Sequence, residues 1–444
     1  MRKVKSNSDL LADASRYLAG GVLHHATALR DRPPIVVVKA RGSHIWGAEG
    51  KHYIDYYMGS ASLPLGHAHP EIIAAVEKQQ VLGTHFFELS PPAIELAKLI
   101  VEMVPSAERV KFATSGTEAV LAAVRVARAV TGRTKIVKFE GAYHGSHDPV
   151  LWGYRPRQRS EYPLAQPDSL GIPHQYGEHV LLVPYNDAQA AIATIEKFRR
   201  DIAAVLMEPV LGNIEPAAGF LESVRDATST LNIPLIFDEV VTGFRLAAGG
   251  AQEYYHVTPD LTALGKSLGG GYPIGAVAGR SDLMEMFSPK RVREGQVVRH
   301  VGTHSGNPVS CAAAVATLNV LRRPGSFERL HAVAQKLANG LRVISSELGI
   351  ETFIVNIGPM VDIWFTDKKM EQYADYQFAD VAKSETFKNG LLARGIWSPP
   401  GLKFFLSLAH SDEDVEQTLA AAREAMRETK SSVTAAGVQL RPAK

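Results

Sequence analysis

The order of apolar and polar positions along the chain predicts a doubly wound α/β sheet. Short apolar runs typical of buried strands stand at 135–139, 180–183, 202–207 and 233–237. Stretches with helical spacing separate them, among them the alanine-rich segment 118–129. Strands that alternate with helices in this way are typical of a mostly parallel sheet with helices on both faces.

The two ends of the chain have a different pattern. Residues 9–19 have helical spacing, and the strand-like runs 35–38 and 53–56 are separated by glycines. After a break at 322–325 the pattern predicts a smaller α+β unit that ends in a helix near 411–428. We therefore expect three segments: an N-terminal segment, 1–69, that joins the small domain, a large domain, 70–322, and a C-terminal small domain, 323–444.

Two further features refine this organisation. Pro70 and Pro91 each stand where an apolar-periodic stretch starts, which suits the first turn of a helix. Residues 147–178 form a polar segment rich in proline, arginine and glutamine. A loop of that length inside a compact domain is usually functional, so we expect it to be a lid.

Composition narrows the class of protein. The 444 residues are 45% apolar and 21% charged, with a formal net charge of +2, which gives no reason to expect nucleic acid or a membrane as partner. Cys311 is the only cysteine, so a disulfide framework or a thiolate metal cage is excluded. Because there is no run of 18 apolar residues and no apolar signal core near Met1, we expect a cytoplasmic enzyme or binding protein.

Asp238 is the first candidate for chemistry. It directly follows the apolar run 233–237, at the carboxyl end of a predicted strand. In open α/β sheets ligands bind at that edge, where a carboxylate is placed to meet a cationic group. Taken alone, the residue also fits a helix cap or a surface acid.

Lys266 is the second candidate, in Leu264-Gly265-Lys266-Ser267-Leu268-Gly269-Gly270-Gly271. A lysine held among uncharged neighbours loses part of its pKa and becomes a nucleophile towards carbonyl groups. Residues 265–269 also match the G-x-S-x-G pattern of hydrolases, with Ser267 as nucleophile, but 259–263 is only weakly strand-like. A phosphate-binding P-loop would need a glycine where Asp260 stands.

Two more segments are suited to binding an anion and a flat ring. Ser115-Gly116-Thr117-Glu118 lies where a helix begins, so backbone N–H groups there would attract a phosphate. Tyr143 follows the strand 135–139 and is placed to stack on a planar ligand. An ordinary helix cap and a core tyrosine explain these residues equally well when each is taken alone.

The histidines suggest a metal site only weakly. His67 and His69, and His144 and His147 with Asp148, are close in sequence. None of them has the helical His-Glu-x-x-His spacing or a cysteine partner, so we expect no metal.

Together these segments resemble one known family. The residues occur in the following order: Ser115-Gly116-Thr117, Tyr143-His144-Gly145, Glu208-Pro209, Asp238-Glu239-Val240, Lys266 and Gly302-Thr303. The order is similar to that of the class III aminotransferases of pyridoxal-phosphate fold type I, over about residues 14 to 428. Gly66-His67-Ala68-His69-Pro70 and Ser305-Gly306-Asn307-Pro308 point to the branch that contains glutamate-1-semialdehyde aminomutase and related transaminases.

The resemblance implies a fold, a cofactor and roles for residues. It implies a large domain with a mixed sheet, a small α+β domain built from both chain ends, and a homodimer with shared active sites. Lys266 would hold pyridoxal phosphate as a Schiff base and shuttle a proton, and Asp238 would bond the pyridine nitrogen. The other implied contacts are Ser115, Gly116 and Thr117 to the phosphate, Thr303 to the phosphate of the neighbouring subunit, Tyr143 and Val240 on the two ring faces, and Glu208 and Asn213 near the phenolic side.

The substrate side departs from the aminomutase pattern. A serine and an arginine that bind the substrate carboxylate there are replaced here by His24 and Thr27, and a glutamate is replaced by Leu402. Loss of a fitted arginine should weaken carboxylate recognition strongly. Tyr57 enters near the site, and the possible replacement anchors are Arg30, Arg32, Arg41 and Lys403, although a solvated surface charge fits most of these four.

These exchanges predict a transaminase for an apolar amino acid whose side chain is aromatic, of the D-phenylglycine or β-phenylalanine type. The acceptor would be a keto acid such as 2-oxoglutarate or pyruvate. The alternatives are the aminomutase or another pyridoxal-phosphate isomerase, a hydrolase that uses Ser267, and a binding protein without catalysis.

Overall fold

A seven-stranded mixed sheet forms the centre of the molecule. The computed structural model describes residues 6–24, 34–155, 161–398, 401 and 403–431. The strands are β1 Val37–Arg41, β2 His44–Gly47, β3 His52–Asp55, β4 Arg109–Ala113, β5 Lys135–Phe139, β6 Val180–Val183, β7 Ile202–Met207, β8 Leu235–Asp238, β9 Leu261–Leu264, β10 Gly275–Gly279, β11 Phe353–Ile357, β12 Met360–Trp364, β13 Ile396–Trp397 and β14 Phe404–Phe405.

The order of strands in the large sheet is β4-β10-β9-β8-β7-β5-β6. Strands β6, β5, β7, β8 and β9 run parallel, and β10 runs antiparallel to both of its neighbours. All residues of β6, β7, β8 and β9 are buried, as expected for apolar strands covered on both faces. Since Met207 lies opposite Phe237 and Asp238 opposite Ala263, the carboxyl ends of β7, β8 and β9 meet at one edge.

Helices cover both faces of this sheet. The α-helices are Asn7–Tyr17, Met58–Ala61, Pro70–Gln80, Pro91–Met103, Gly116–Thr131, Ala188–Lys197, Phe220–Thr230, Ala251–Tyr254, Ser281–Met284, Pro308–Leu321, Ser326–Leu348, Val381–Ala393 and Asp412–Ser431. Short 3₁₀ helices lie at Ala19–Gly21, His174–His179, Lys266–Gly269, Glu285–Phe287, Pro289–Val292 and Tyr373–Phe378. The small buried side chains of Ala119, Ala123 and Ala127 let the helix 116–131 pack closely on the sheet.

Two small sheets combine the ends of the chain. Strand β13 pairs in parallel with β3, which joins the sheet β1-β2-β3 to the C-terminal part of the chain. Strand β14 pairs with β12 in the other small sheet, β11-β12-β14. The expected mixed sheet with a smaller α+β part from both chain ends is therefore confirmed, and the boundaries at 69 and 322 stay predictions.

The sequence pattern located most elements closely. The strands at 135–139, 180–183 and 202–207 have the predicted bounds, and helices begin at Pro70 and Pro91. The weakly strand-like stretch before Gly265 was underestimated, because β9 occupies Leu261–Leu264. Among the helices of the described residues, none is long and apolar enough to cross a bilayer.

Candidate active site

Lys266 lies where β9 ends, at the same edge of the sheet as the ends of β7 and β8. Gly265 follows the strand, and Lys266 then begins a 3₁₀ helix with a φ of 42°. A positive φ is costly for a residue with a Cβ and persists only where the surrounding structure holds it. The backbone therefore fixes this lysine in an unusual conformation next to the sheet edge.

The amine of Lys266 has no hydrogen-bond partner among the described residues. Burial lowers its pKa, the carboxylates of Asp238 and Glu208 oppose that shift, and the cations of Arg245 and Lys403 add to it. An amine with a lowered pKa is deprotonated more of the time, and only the neutral form attacks a carbonyl carbon.

Asp238 ends β8 and is buried. Its Oδ1 accepts a hydrogen bond from the Val240 N–H at 3.1 Å, and its Oδ2 accepts one from Nδ1 of His144 at 2.8 Å. The Nε2 atom of His144 is buried and has no partner among the described residues. The carboxylate is thus fixed in orientation at the edge of the sheet, and its charge lies close enough to raise the pKa of Lys266.

Glu208 follows β7 and connects two loops of the site. Its Oε1 accepts from the N–H of Tyr143 at 2.7 Å, and its Oε2 accepts from the N–H of Gly212 at 3.3 Å. Burial raises its pKa, and the neighbouring Asp238 raises it further, whereas His144 opposes the shift. The carboxyl group therefore positions the turn that carries Tyr143.

A cradle for an anion lies at the start of the helix 116–131. The Ser115 Oγ caps this helix by accepting from the N–H of Glu118 at 3.3 Å. A Cβ at Gly116 would lie 2.7 Å from both Cγ atoms of Val240, so only glycine fits against that side chain. The N–H groups of Gly116 and Thr117 belong to the first turn of the helix, where the peptide dipoles favour a phosphate.

Aromatic side chains form a group beside this edge. The ring of Tyr143 lies 5.0 Å from that of Tyr154, Tyr373 lies 5.1 Å from Tyr376, and Trp364 stacks on Tyr376 at 4.7 Å. Gly141, in the turn before Tyr143, lies against Tyr373, since a Cβ there would be 2.5 Å from that ring. The pair Tyr143 and Tyr154 therefore lies close to the pair Tyr373 and Tyr376. Sequence reasoning singled out only Tyr143, because the other four come from the predicted lid and from the C-terminal segment.

The described part of the predicted lid is tied to the large domain. The fully buried amine of Lys138 donates to the carbonyl groups of Ala142 at 3.1 Å and Val150 at 2.9 Å. Asp168 accepts from the N–H groups of Tyr154 and Arg155, both at 2.8 Å. Residues 156–160 lie outside the described residues.

The predicted substrate residues are not all brought to this edge. His24 is exposed, Arg41 is exposed at the end of β1 opposite His44, and Tyr57 packs against the Ile45, Tyr53 and Trp397 cluster. Arg30 and Leu402 lie outside the described residues. Lys403 does lie at the site, because a Cβ at Gly212 would be 2.9 Å from its Nζ.

Asn213 and Thr303 complete the predicted set. Asn213 is buried, and its Nδ2 donates to Asp362 Oδ2 at 3.0 Å, whereas its Oδ1 has no partner among the described residues. Thr303 is exposed in the segment before the helix 308–321. Asp362, Tyr376, His144 and Arg245 were missed as site residues. Of these, His144 was visible in the sequence through the motif Tyr143-His144-Gly145.

The structure argues against the hydrolase alternative because Ser267 is buried, and not because a strand is missing before it. The strand that a nucleophile elbow requires is present, since β9 ends at Leu264. However, Ser267 is fully buried, and its Oγ accepts from the Arg245 guanidinium at 2.8 Å. A hydroxyl without access to solvent and with a cationic donor on its oxygen is unsuited to attack a substrate.

Among the described residues, no group of three or more His, Cys, Asp or Glu side chains is arranged to hold a metal.

These residues fit one cofactor. The amine of Lys266 is suited to an aldehyde, and the fixed carboxylate of Asp238 is suited to a pyridinium nitrogen. The helix start at Gly116 is suited to a phosphate, and the unpaired Oδ1 of Asn213 is suited to a phenolic hydroxyl. Fold and site together define a pyridoxal-phosphate-dependent enzyme of the aminotransferase kind. Residues 26–426 match the aminotransferase class-III family model, and the chain belongs to that family.

Relatives are similar over nearly the whole chain. The glutamate-1-semialdehyde 2,1-aminomutase of Methanothermobacter thermautotrophicus is 44% identical over 428 residues, which are 95% of this chain and 98% of that protein. Glutamate-1-semialdehyde 2,1-aminomutase 2 of Brevibacillus brevis is 40% identical over 434 residues, which are 96% of this chain and 99% of that protein.

Solved structures are also similar. An omega-transaminase from Sphaerobacter thermophilus has a TM-score of 0.91 and 33% identity, with 96% of this chain and 98% of that one covered. A transaminase with pyridoxal phosphate bound has a TM-score of 0.88 and 27% identity, covering 96% and 98%. A beta-phenylalanine aminotransferase from Variovorax paradoxus has a TM-score of 0.85 and 29% identity, covering 96% and 94%.

Proposed function

We propose that the protein moves an amino group on a small amino acid with the help of pyridoxal phosphate, and that Lys266 is the catalytic amine. The observation that supports this most is the Lys266 amine itself, with a lowered pKa and no partner among the described residues, beside the fixed carboxylate of Asp238. Pyridoxal phosphate, when bound, withdraws electrons from the carbon that carries the substrate's amino group.

The residues of the chain have separate tasks in this proposal. Lys266 would hold the cofactor through its amine, and that amine would carry a proton to and from the substrate carbon. Asp238 would keep a proton on the pyridine nitrogen, with His144 orienting the carboxylate. Ser115, Gly116 and Thr117 would hold the phosphate, and Tyr143 and Val240 would enclose the ring.

Two reactions of this class remain as candidates, and the relatives favour the isomerase. The curated relatives at 40 and 44% identity are both named glutamate-1-semialdehyde 2,1-aminomutase. Their identity is higher than the 33 and 29% of the solved omega-transaminase and beta-phenylalanine aminotransferase, over a similar share of the chain, and so supports an intramolecular shift of the amino group better than the predicted aromatic transaminase. The aminomutase is therefore the first candidate.

A specific observation keeps the transaminase as the second candidate. His24, Thr27 and Leu402 replace the polar anchors of the aminomutase, and the five aromatic rings at 143, 154, 364, 373 and 376 offer apolar surface near the site. Such surface suits an aromatic amino acid, and solved relatives include an omega-transaminase and a beta-phenylalanine aminotransferase.

Dependence on an added keto acid separates the two candidates. Purified holoenzyme would be given glutamate-1-semialdehyde alone, and in parallel D-, L- and β-amino acids with and without 2-oxoglutarate or pyruvate. Product from the semialdehyde without an acceptor supports the aminomutase. Turnover that requires the acceptor supports the transaminase, and absence of both activities overturns the proposed class of reaction.

We also propose a homodimer in which Thr303 contacts the phosphate of the second subunit. Its support is an exposed apolar surface close to that residue, formed by Val81, Leu82, Phe87, Leu89 and Val301. Asn307 Nδ2 donates to the Thr84 carbonyl at 2.9 Å and so links the segments 81–89 and 301–307. Sedimentation equilibrium should give twice the chain mass of 48.2 kDa, whereas a monomer at assay concentration would overturn this proposal.

A further inference from the structure

Asp362 is a buried carboxylate beside the site that the proposed mechanism does not use. It lies in the middle of β12 with no exposed surface. Its Oδ2 accepts from Asn213 Nδ2 at 3.0 Å, and its Oδ1 accepts from the N–H of Ile363 at 2.9 Å. A carboxylate this deeply buried is costly unless a positive charge compensates it.

The compensating charge comes from the next strand. Phe404 lies opposite Val361 and Phe405 opposite Met360, so continuing the antiparallel register by one residue brings Lys403 opposite Asp362. The positive charge of Lys403 lowers the pKa of Asp362, against a larger upward shift from burial that leaves this pKa at about 7. Cross-strand neighbours on one face are close enough for such a pair.

The ammonium group of Lys403 reaches the site. Its side chain is partly exposed, and a Cβ at Gly212 would lie 2.9 Å from its Nζ and 3.6 Å from the hydroxyl of Tyr376. Within the described part of the chain, no hydrogen-bond acceptor is bound to this ammonium group. Its charge also lies close enough to Lys266 to lower the pKa of that amine.

We propose that Lys403 binds the carboxylate of the substrate and that Asp362, buried behind it, is the positioning residue that limits how strongly this subsite holds an anion. The proposal rests on the proposed function, since it concerns the substrate of the same site. When it is ionised, Asp362 repels an incoming carboxylate and competes for the ammonium group of Lys403. The pair is then neutral overall, so the subsite holds one carboxylate only weakly and releases it readily.

The change Asp362→Asn removes the charge with little loss of hydrogen bonding. The side-chain oxygen left at position 362 remains as the acceptor for the Ile363 N–H, and the new NH₂ group replaces the oxygen that faced the Asn213 Nδ2. At most the one hydrogen bond to Asn213 is lost, and the cofactor absorbance of each variant checks that the Asn213 side of the site is unchanged. The surface change Asp367→Asn removes the same charge five residues away and is the matched control.

The experiment is calorimetric titration of the holoenzyme at about pH 8.5, above the pKa of Asp362, with pentanoate, a carboxylate that carries no amine and cannot react. Glutarate, with the same five carbons and a second carboxylate, is titrated in parallel. Lys403→Met and Asp362→Asn/Lys403→Met complete a double-mutant cycle. Circular dichroism checks that each variant is folded.

We expect Asp362→Asn to bind pentanoate about three- to tenfold more tightly than the wild type, as for removal of a like charge at a partly exposed site. Lys403→Met should weaken pentanoate binding by a similar factor, and Asp362→Asn should have no effect in the Lys403→Met background. Asp367→Asn should change nothing. The wild type should bind glutarate no more than about twofold more tightly than pentanoate, because the subsite takes one carboxylate.

Several outcomes would overturn the proposal: no pentanoate binding by the wild type, unchanged or weaker binding by a folded Asp362→Asn chain, or a gain that persists without Lys403. If Asp362→Asn does not fold, unchanged pentanoate affinity in Lys403→Met still overturns it, and a clear loss supports it. Amino-transfer turnover is measured on the same preparations. Turnover without these pentanoate effects refutes the subsite only, whereas absence of turnover in the wild type refutes the proposed function.

Discussion

The cofactor side and the substrate side of this site are built in different ways. Glu208, Asp238 and Lys266 all stand at or just after the carboxyl ends of buried parallel strands, so the order of the sheet brings them together. Asp362, Lys403 and Tyr376 come from the C-terminal third of the chain and reach the same place through β12, β14 and a 3₁₀ helix. The first group depends on one sheet, whereas the second depends on how two parts of the chain pack.

This difference separates the chemistry from the choice of substrate. Residues at the ends of central strands are fixed by a ladder of hydrogen bonds and by packing on both faces. Residues on short edge strands and loops tolerate exchange, since fewer contacts depend on them. We therefore expect changes on the cofactor side to reduce kcat, and changes on the substrate side to raise KM.

Lys266→Ala should have the largest effect. The loss of the amine that exchanges with the substrate and carries the proton should lower turnover about 10³-fold or more. Steady-state turnover with the best substrate would be compared with that of Lys290→Ala, which removes an exposed lysine. If Lys266→Ala retained more than a tenth of the activity, the catalytic amine would lie elsewhere. The contrast between the cofactor side and the substrate side would then no longer hold.

Asp238→Asn should come next, with a loss in kcat of about 10²-fold, since a neutral amide does not hold a proton on the cofactor nitrogen as a carboxylate does. The amide oxygen keeps the contact to His144, so KM should change little, whereas the loss of the hydrogen bond from the Val240 N–H should lower the melting temperature slightly. Asp282→Asn, at an exposed aspartate, is the control. A rise in KM without loss of kcat would mean that Asp238 belongs to substrate binding.

The C-terminal packing that carries the substrate side should depend on pH. His410 stacks on Tyr56 at 4.6 Å, and burial lowers its pKa to about 4 from an ordinary 6.5. Between these values the unfolded chain binds a proton that the folded chain does not, so stability falls as the pH falls from 6.5 to 4. We expect urea unfolding to show a loss of about 2 kcal/mol from this group between pH 7 and pH 5.

His410→Asn should remove that part of the pH dependence, although it also lowers stability at every pH through lost packing. His174→Asn, at an exposed histidine, should leave the difference between pH 7 and pH 5 as in the wild type. An unchanged difference in His410→Asn would show that the pKa of this ring is the same in the folded and the unfolded chain.

Gly116→Ala should have the smallest effect, on cofactor affinity. The added Cβ would lie 2.7 Å from Val240, and overpacking of this kind costs about 1–3 kcal/mol. At the low end of that range, about 1.4 kcal/mol, the loss is roughly tenfold in affinity. Fluorescence titration of the apoenzyme with pyridoxal phosphate measures it. Val240→Ala in the same chain should restore part of the affinity, and no restoration would argue against the cradle described here.

The sequence was informative where function depends on local pattern. Asp238 and Lys266 could be found because each lies at the end of an apolar run or between glycines, and the order of motifs joined them into one site. Asp362 could not be found in this way, since in Met360-Val361-Asp362-Ile363-Trp364 it interrupts an apolar strand without any sign of its partner. The pairing of β12 with β14, 43 residues apart from Val361 to Phe404, supplies that partner.

The substrate residues were harder to choose from the sequence for the same reason. Arg41 and Lys403 are both basic residues near short strands, yet only Lys403 faces the site. Charge and spacing do not distinguish them, because the direction of each side chain depends on which strand it pairs with. The exchange of anchors at His24 and Leu402 is visible in the sequence, but its effect on the substrate depends on residues brought together from both chain ends.

The most direct test of the central claim is to locate the covalent bond to the cofactor. Protein supplied with pyridoxal phosphate would be reduced with borohydride, digested and analysed by mass spectrometry. We expect the reduced pyridoxyl phosphate on the peptide that contains Lys266, and loss of the label in Lys266→Ala. A label on another lysine, or no label at all, would contradict the assignment of Lys266 as the catalytic amine.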